Sequence, residues 1–192
     1  MIVGLTGGIG TGKTMVAQLF AMLGAKVFNS DESAKQLYFD PEIKNKVIQL
    51  LGSESYNAAF SLNKKYISDK IFSDTNLLQK LNGIIHPAVA NDFNNFVAKN
   101  SNYLIIKESA ILFETGIYKS LDKVILVTSP VDLRIKRVMK RDGLNETEVR
   151  NKIKSQMSEE KKIKLTDLII YNNEIDFLIP QAHTIYTKLL NA

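Results

Sequence analysis

The octapeptide GGIGTGKT at residues 7–14 is the feature that most constrains how this chain can fold. It fits the pattern G-x-x-x-x-G-K-[ST], in which glycines let consecutive backbone N–H groups point toward one anion. Residues 2–5 are apolar and fit a buried parallel strand, and apolar residues recur at helical spacing over 15–23. Because the loop has the strand and the helix that its mechanism requires, we predict a phosphate-binding loop.

The side chains of this loop predict the class of ligand. Lys13 can reach the terminal phosphates of a nucleoside triphosphate, and the Thr14 hydroxyl can bind the Mg²⁺ that bridges them. The sequence therefore predicts a nucleoside triphosphate as ligand, together with Mg²⁺. Small-molecule kinases, GTPase switches and motor ATPases share this loop, so the choice among them depends on residues elsewhere.

Short apolar runs alternate with helical patterns along much of the chain, which is typical of an α/β protein with a parallel sheet. The predicted strands are residues 2–5, 26–28, 103–106, 123–128 and 168–171. From about 41 to 99 the apolar spacing is helical without a clear strand, and His86-Pro87 is predicted to begin a helix there. Pro180 is expected to disturb a closing helix over 175–190.

These patterns predict one domain over residues 1–192 with a three-layer α/β/α core around a parallel sheet, of the P-loop NTPase kind. Its predicted parts are a core at about 1–38, 101–141 and 165–192, a helical insertion at about 39–100, and a helical lid at about 142–164. Because residues 142–164 are highly charged and show no strand pattern, we interpret them as an excursion from the sheet.

Composition narrows the class of protein further. The chain has no cysteine, so disulfides, thiolate metal sites and a catalytic Cys are excluded. No apolar run is long enough to cross a bilayer, and the N-terminus lacks the basic region of a signal peptide. We therefore expect a cytoplasmic protein without a membrane partner.

Arginine is confined to one short segment. Net charge is +5, and of the 25 basic residues only Arg134, Arg137, Arg141 and Arg150 are Arg. Planar, bidentate phosphate binding would require Arg rather than Lys, whereas the alternative is a solvated helix face. The first three share one helix face, so a mobile lid could bring them onto a transferring phosphoryl group.

Polar residues at the ends of the predicted strands are further candidates, because the carboxyl ends of parallel strands open onto one crevice. Asp31 could accept a proton from a substrate hydroxyl, help to hold Mg²⁺, or cap the next helix. Glu108 could act through metal-bound water or bind substrate, although IIKES is only a distant match to the usual metal-binding strand. Asn172 fits either a turn or an adenine contact, and His86 either a structural or a functional role.

Several motifs together resemble the dephospho-CoA kinase family, in its order and with its spacing. They are LTGGIGTGKT at 5–14, Asp31 with Ala34-Lys35, LNGIIHP at 81–87, LFE at 112–114, KRVMKRDGL at 136–144, Gln156, and Asp167 with Asn172. The resemblance covers essentially the whole chain, and the combination is more specific than the glycine loop alone.

The resemblance implies ATP-dependent phosphorylation of the ribose 3′-hydroxyl of dephospho-CoA, which gives coenzyme A and ADP in the last step of coenzyme A biosynthesis. It implies catalytic roles for Asp31, Lys13, Arg137 and Arg141. It implies ATP contacts from Gly8, Gly10, Thr11, Gly12, Lys13, Thr14, Met15, Arg141 and Asn172, with Thr14 on the Mg²⁺. It implies that the helical insertion around His86 binds the acceptor. The acceptor contacts that it implies are Asp31, Lys35, Lys64, His86, Glu108 and Leu112, from the insertion and the core.

The chain departs from the family pattern at several positions. The family tends to have Arg where this chain has Lys35, Lys64 and Lys152, and Asp and Pro where it has Glu108 and Ala110. Lys keeps the charge but loses the bidentate fork, so the geometry of acceptor binding is expected to differ.

Three other functions stay open from the sequence: another small-molecule P-loop kinase, a basic nucleic-acid-binding NTPase, and a nucleotide switch without catalysis. The loops lack interleaved aromatic and basic residues, which counts against the second. We expect ATP and dephospho-CoA as partners, no nucleic acid, and a monomer or weak homo-oligomer.

Overall fold

The computed structural model describes residues 1–57 and 61–191. Its contacts divide the chain into two compact units. The first, here the sheet unit, comprises Met1–Asn29 with Asn100–Ala192, and the second, the helical unit, comprises Ser30–Lys99. The helical unit thus begins earlier than the insertion that the sequence predicts at about 39, and the division into core, insertion and lid stays a prediction.

The sheet unit is built on parallel strands. They are β1 Ile2–Thr6, β2 Lys26–Asn29, β3 Ile105–Glu108, β4 Lys123–Thr128 and β5 Leu168–Tyr171, paired in the order β2-β3-β1-β4-β5. The helices are α1 Lys13–Met22, α2 Ser30–Leu37, α3 Pro41–Leu51, α4 Lys64–Ser73, α5 Thr75–Lys99, α6 Val131–Asp142, α7 Glu146–Lys154, α8 Glu159–Lys164 and α9 Leu178–Leu190. The parallel sheet and its helices confirm the predicted α/β fold.

Strand β3 lies two residues later than its prediction over 103–106. Ile105 is the first residue of β3 in register with β1, and its N–H donates to the Met1 carbonyl. Glu108 is therefore the last residue of the strand and lies opposite both Leu5 and Asn29. All strands run in the same direction, so their carboxyl ends share one edge of the sheet.

The core of the sheet unit packs apolar strand residues against α1 and α9. Val3, Leu5, Val16 and Phe20 have no exposed surface, and each such side chain contributes about 1.5–3 kcal/mol by leaving water. Helix α9 begins at Leu178, so Pro180 falls in its first turn, where a missing N–H costs no hydrogen bond. The expected disturbance at Pro180 is therefore absent from α9.

The helical unit has its own core, which packs α3, α4 and α5 around Val47, Leu51 and Leu81. Helix α5 runs unbroken through Pro87, so the prediction that His86-Pro87 begins a helix is wrong. The residue four before Pro87 is Gly83, and both are exposed. Water can therefore bind the one carbonyl that loses its helical partner, and the helix continues. Among the described residues, no helix is both long and apolar enough to cross a membrane.

Candidate active site

The glycine loop follows the central strand β1 and leads into α1, as predicted. Gly10 and Gly12 have φ angles of 81° and 89°, in the left-handed region that favours glycine. A Cβ on Gly12 would lie 2.2 Å from Asn172 Nδ2, and one on Gly10 would lie 2.7 Å from the Arg134 carbonyl oxygen. Backbone angle and neighbours together require glycine at both positions.

Lys13 is the first residue of α1, and its ammonium lies over the backbone of the loop. Nζ donates to the carbonyl of Gly7 at 2.9 Å and to that of Gly8 at 3.4 Å. Because carbonyls are neutral, an anionic phosphate would be a stronger partner for this cation. The amino end of α1 points its positive dipole to the same place, so this end of the loop is suited to a polyphosphate.

Three polar side chains meet beside the loop at the carboxyl ends of β2 and β3. Glu108 is 4% exposed; its Oε2 accepts from Asn29 Nδ2 at 2.7 Å, and its Oε1 lies 3.4 Å from Thr14 Oγ1. A hydroxyl and a carboxylate side by side are the hard oxygen ligands that Mg²⁺ prefers. No cluster of three or more His, Asp or Glu ligands occurs in the described part of the chain, so the remaining ligands of an ion here would be phosphate and water.

Asn172 links the end of β5 to the glycine loop. Its Nδ2 donates to the Thr11 carbonyl at 2.9 Å, and its backbone carbonyl and Oδ1 both accept from Arg137, each at 3.3 Å. Arg137 also donates to Ser129 at 3.1 Å and pairs with Glu174 at 3.2 Å. The structure thus brings Arg137 and Asn172 together, two residues that the sequence had placed in different roles.

Arg134 lies behind the loop and is only 4% exposed. Its Nε donates to the Ile9 carbonyl at 2.9 Å, and Nη1 pairs with Glu159 at 2.9 Å. Glu159 also accepts a hydrogen bond from Thr128. Burial raises the pKa of Glu159, and the positive charge of Arg134 opposes that shift. The sequence grouped Arg134 with the arginines that could reach a transferring phosphoryl group, whereas here it is buried and binds the backbone of the loop.

Glu114, the acid of the LFE motif, binds the segment between α7 and α8. It accepts from the Met157 N–H at 3.0 Å and lies 3.1 Å from the ammonium of Lys162, which is 2% exposed. The second contact is an ion pair. Burial opposes ionisation of Glu114, but the Met157 N–H, the backbone N–H of Glu114 itself and Lys162 together outweigh it and lower the pKa of the carboxyl. In the sequence, LFE served only as one of the motifs of the family resemblance, and no contact with residues 157–162 was predicted for Glu114.

Arg141 stands apart from the loop at the carboxyl end of α6. Its side chain is 63% exposed and makes a bidentate contact with Asp142 at 2.7 and 2.8 Å. That contact, more than any other, raises the pKa of Arg141. The catalytic role predicted for Arg141 therefore stays a prediction.

The helical unit carries most of the predicted acceptor residues, and they are exposed. Asp31 is the second residue of α2, and Lys35, one turn later, pairs with Glu32 at 3.1 Å. Within the described residues, no hydrogen bond or ion pair involves the Asp31 carboxylate. Lys64 begins α4, and His86 lies in the middle of α5. Their roles toward an acceptor stay predictions.

Leu112 was expected to contact the acceptor, but its side chain is completely buried in the sheet unit. A Cβ on Gly4 would lie 2.8 Å from Leu112 Cδ1 and 2.7 Å from Leu121 Cδ1. The leucine thus fills the space that the missing side chain of Gly4 leaves at the sheet. A side chain with no exposed surface cannot reach a ligand, so we correct Leu112 to a core residue.

Comparison with known proteins agrees with this geometry. The family model described as dephospho-CoA kinase matches residues 1–176. The chain is 36% identical to the dephospho-CoA kinase of Fusobacterium nucleatum, over 90% of both chains. It is 35% identical to that of Chlorobaculum tepidum, over 99% of this chain and 95% of the relative.

Solved structures resemble the whole chain as well. A Thermus thermophilus crystal structure superposes with a TM-score of 0.90 at 29% identity, covering 100% of this chain and 98% of its own. The dephospho-CoA kinase of Campylobacter jejuni gives a TM-score of 0.71 at 21% identity, over 98% and 96% of the chains. The shikimate kinase of Acinetobacter baumannii shares the fold at a TM-score of 0.51 and 16% identity, over 99% and 93%.

Proposed function

Because the chain belongs to the dephospho-CoA kinase family, and is therefore an ATP-dependent kinase, we propose how its own residues divide the reaction. The γ-phosphoryl group of ATP is transferred to the ribose 3′-hydroxyl of dephospho-CoA, and the products are coenzyme A and ADP. The observation that carries the proposal is the meeting of the glycine loop, Thr14 and Glu108 at one edge of the sheet.

The loop holds the donor. Lys13 exchanges its carbonyl partners for the terminal phosphates, and the N–H groups at the start of α1 bind the same anion. Thr14 and Glu108 would hold Mg²⁺ together with the triphosphate. When bound there, the ion neutralises charge on the phosphate oxygens. Asn172, positioned by Arg137, lies beside the loop where it can contact the adenine ring.

Asp31 acts on the acceptor as general base. It removes the proton of the 3′-hydroxyl while that oxygen forms its bond to the γ-phosphorus. The bond between this phosphorus and the β–γ bridging oxygen breaks, and its electron pair leaves with ADP. The exposure of Asp31 and the absence of a partner for its carboxylate among the described residues support the role of general base. Lys35, Lys64 and His86 bind the acceptor, and Arg141 stabilises the charge of the transferring group.

The activity is tested by measuring ADP release with and without dephospho-CoA, alongside a panel of other hydroxyl acceptors. Turnover that depends on dephospho-CoA is the expected result. ADP release that does not respond to dephospho-CoA, or that prefers another acceptor, would overturn the assignment.

The role of Asp31 is tested by comparing Asp31→Asn with Asp132→Asn. Both aspartates are exposed and occupy the second position of a helix, in α2 and α6. A base contributes roughly 10²–10⁴-fold to the rate, so Asp31→Asn should lower kcat by about that factor with an ATP KM close to the wild type. Asp132→Asn should lose only the helix-end interaction and keep kcat. Equal kcat values in both variants would leave Asp31 a helix-end residue.

We further propose that the enzyme works in the cytoplasm as a monomer or weak homo-oligomer, without nucleic acid. Its substrates are small molecules, as in its family. Light scattering across a concentration series measures the oligomeric state. A mass of two or more chains at the lowest concentration would contradict it.

A further inference from the structure

The peptide of Ile9, in the middle of the glycine loop, is bound on both sides. Its N–H donates to Gln156 Oε1 at 2.9 Å, and its carbonyl accepts from Arg134 Nε at 2.9 Å. The two partners come from α6 and from the segment that joins α7 to α8, far from the loop in sequence. Ile9 is thus the loop residue whose orientation depends directly on these later segments.

The side chain of Ile9 also contacts α6 and the segment that follows it. It packs against a small cluster formed by Ile135 and Val138 of α6 and Val149 of α7, which Ile153 also joins. Three separate contacts, one apolar and two polar, therefore connect Ile9 to residues 134–156. If the Ile9 peptide rotated while the side chain stayed packed, both hydrogen bonds would be lost.

Arg134 also limits the shape of the loop around Ile9. A Cβ on Gly8 would lie 2.1 Å from Nη2 of Arg134, so a side chain at residue 8 would have to displace the guanidinium from its present contacts. A cavity of about 290 Å³, lined by Gly8, Arg134, Gln156 and Lys162 among others, lies behind the loop. The polar contacts of Ile9 with Arg134 and Gln156 therefore lie at the wall of a cavity, and the apolar contacts lie on the side chain of Ile9.

The partners of Ile9 are themselves held. Glu159 pairs with Arg134, and Glu114 accepts from the N–H of Met157, the residue after Gln156. Each partner of the Ile9 peptide is thus connected to α8. Arg134 is connected through Glu159, and Gln156 through its neighbour Met157 and Glu114, which pairs with Lys162. Movement of α8 would therefore change the hydrogen bonds of both the N–H and the carbonyl of Ile9.

We propose that Gln156 and Arg134 are positioning residues that fix the Ile9 peptide and so set the ATP-binding conformation of the glycine loop. Neither is a catalytic residue in this proposal. The inference rests on the proposed role of the loop in holding ATP. Residues 142–164 thereby act on the donor site directly through Gln156 and indirectly through Glu159, which pairs with Arg134, in addition to any role over the transferring group.

The experiment compares Gln156→Met with Thr166→Val. The first removes the acceptor of the Ile9 N–H at nearly constant volume. The second removes a hydrogen bond of 2.9 Å to the Val124 carbonyl at the amino ends of β4 and β5, the opposite edge of the sheet. A fluorescent ATP analogue with Mg²⁺ is titrated into each full-length variant without acceptor. Urea unfolding is measured in parallel, because both variants lose one hydrogen bond.

Gln156→Met should bind the analogue about five- to tenfold more weakly, the equivalent of one hydrogen bond, whereas Thr166→Val should bind it like the wild type. In turnover, the loss should appear in the ATP KM, with kcat at saturating ATP nearly unchanged. Gln156→Glu, which keeps an acceptor oxygen, should restore most of the affinity.

Wild-type affinity in Gln156→Met, or equal weakening in Thr166→Val, would overturn the proposal. Since binding is measured without dephospho-CoA, this outcome is separate from a failure of the proposed acceptor. A wild-type protein that binds ATP without phosphorylating dephospho-CoA would contradict the proposed function and leave the Ile9 contacts testable.

Discussion

The two halves of the arginine segment differ in how far away their partners lie in the sequence. Arg134 and Arg137 bind Ile9 and Asn172, which follow distant strands. Arg141 pairs with the adjacent Asp142, and Arg150 pairs with a residue one turn earlier in α7. Long-range partners on backbone carbonyls make the first pair part of the loop's support. Local partners leave the second pair free to change contacts without disturbing the fold.

The strongest test of this difference is Arg134→Ala. The substitution leaves Glu159 half-buried without its ion pair and the Ile9 carbonyl without its donor. Breaking a buried ion pair costs about 3 kcal/mol or more, so we expect a loss of that size in the free energy of unfolding, measured in urea. A loss below about 1 kcal/mol would place Arg134 with the exposed arginines.

A second buried cation, Lys107 in β3, extends the comparison to pH. It is 4% exposed, and burial lowers its pKa from 10.5 to about 8. The cost of holding its charge is complete below pH 8 and is relieved as pH rises from about 8 toward 10.5, so stability should rise over that window. Lys107→Met should remove this rise, because methionine does not titrate. A wild-type slope in the variant, measured by urea unfolding at each pH, would contradict this origin.

Arg137→Lys is expected to have a smaller effect on stability and a clear one on ATP. Lysine keeps the charge near Glu174 but cannot bind Ser129 and Asn172 at the same time. We expect about 1 kcal/mol less stability and roughly a tenfold higher ATP KM, measured by unfolding and initial rates. If kcat falls while the ATP KM stays constant, Arg137 acts on the transferring group as its sequence position first indicated.

Arg141→Ala should change the free energy of unfolding least, by less than about 0.5 kcal/mol, because its contact with Asp142 is exposed. If Arg141 serves the transferring phosphoryl group, kcat should nevertheless fall at least about tenfold. Arg150→Ala is the matched control, since it loses an exposed pair with Glu146 and should change neither quantity. An unchanged kcat in Arg141→Ala would make it equivalent to Arg150.

The parts of the fold that depend on local patterns could be predicted from the sequence. Apolar runs located the strands, and the glycine pattern located the loop between β1 and α1, because each signal lies within a few residues. Glu108 could be placed at a strand end, but its contact with Asn29 and Thr14 depends on which strands are neighbours. That order is a property of the whole sheet.

Errors arose where a motif was interpreted without its surroundings. Leu112 lies beside Glu114 in the LFE motif, yet one side chain fills the core while the other binds the Met157 N–H. Pro87 resembles a helix start, but exposure of Pro87 and Gly83 lets α5 continue. Gln156 carries no local signal for its bond to Ile9, because the two residues meet only after the sheet and its helices have packed.

The strand order also has a consequence for synthesis of the chain. Strand β1 has β3 and β4 as its neighbours, so its backbone hydrogen bonds cannot all form until residue 128 has been made. The helical unit, Ser30–Lys99, has its contacts within one continuous stretch and can fold while β1 waits. During translation, β1 is therefore made before the helical unit but completes its backbone pairing after it.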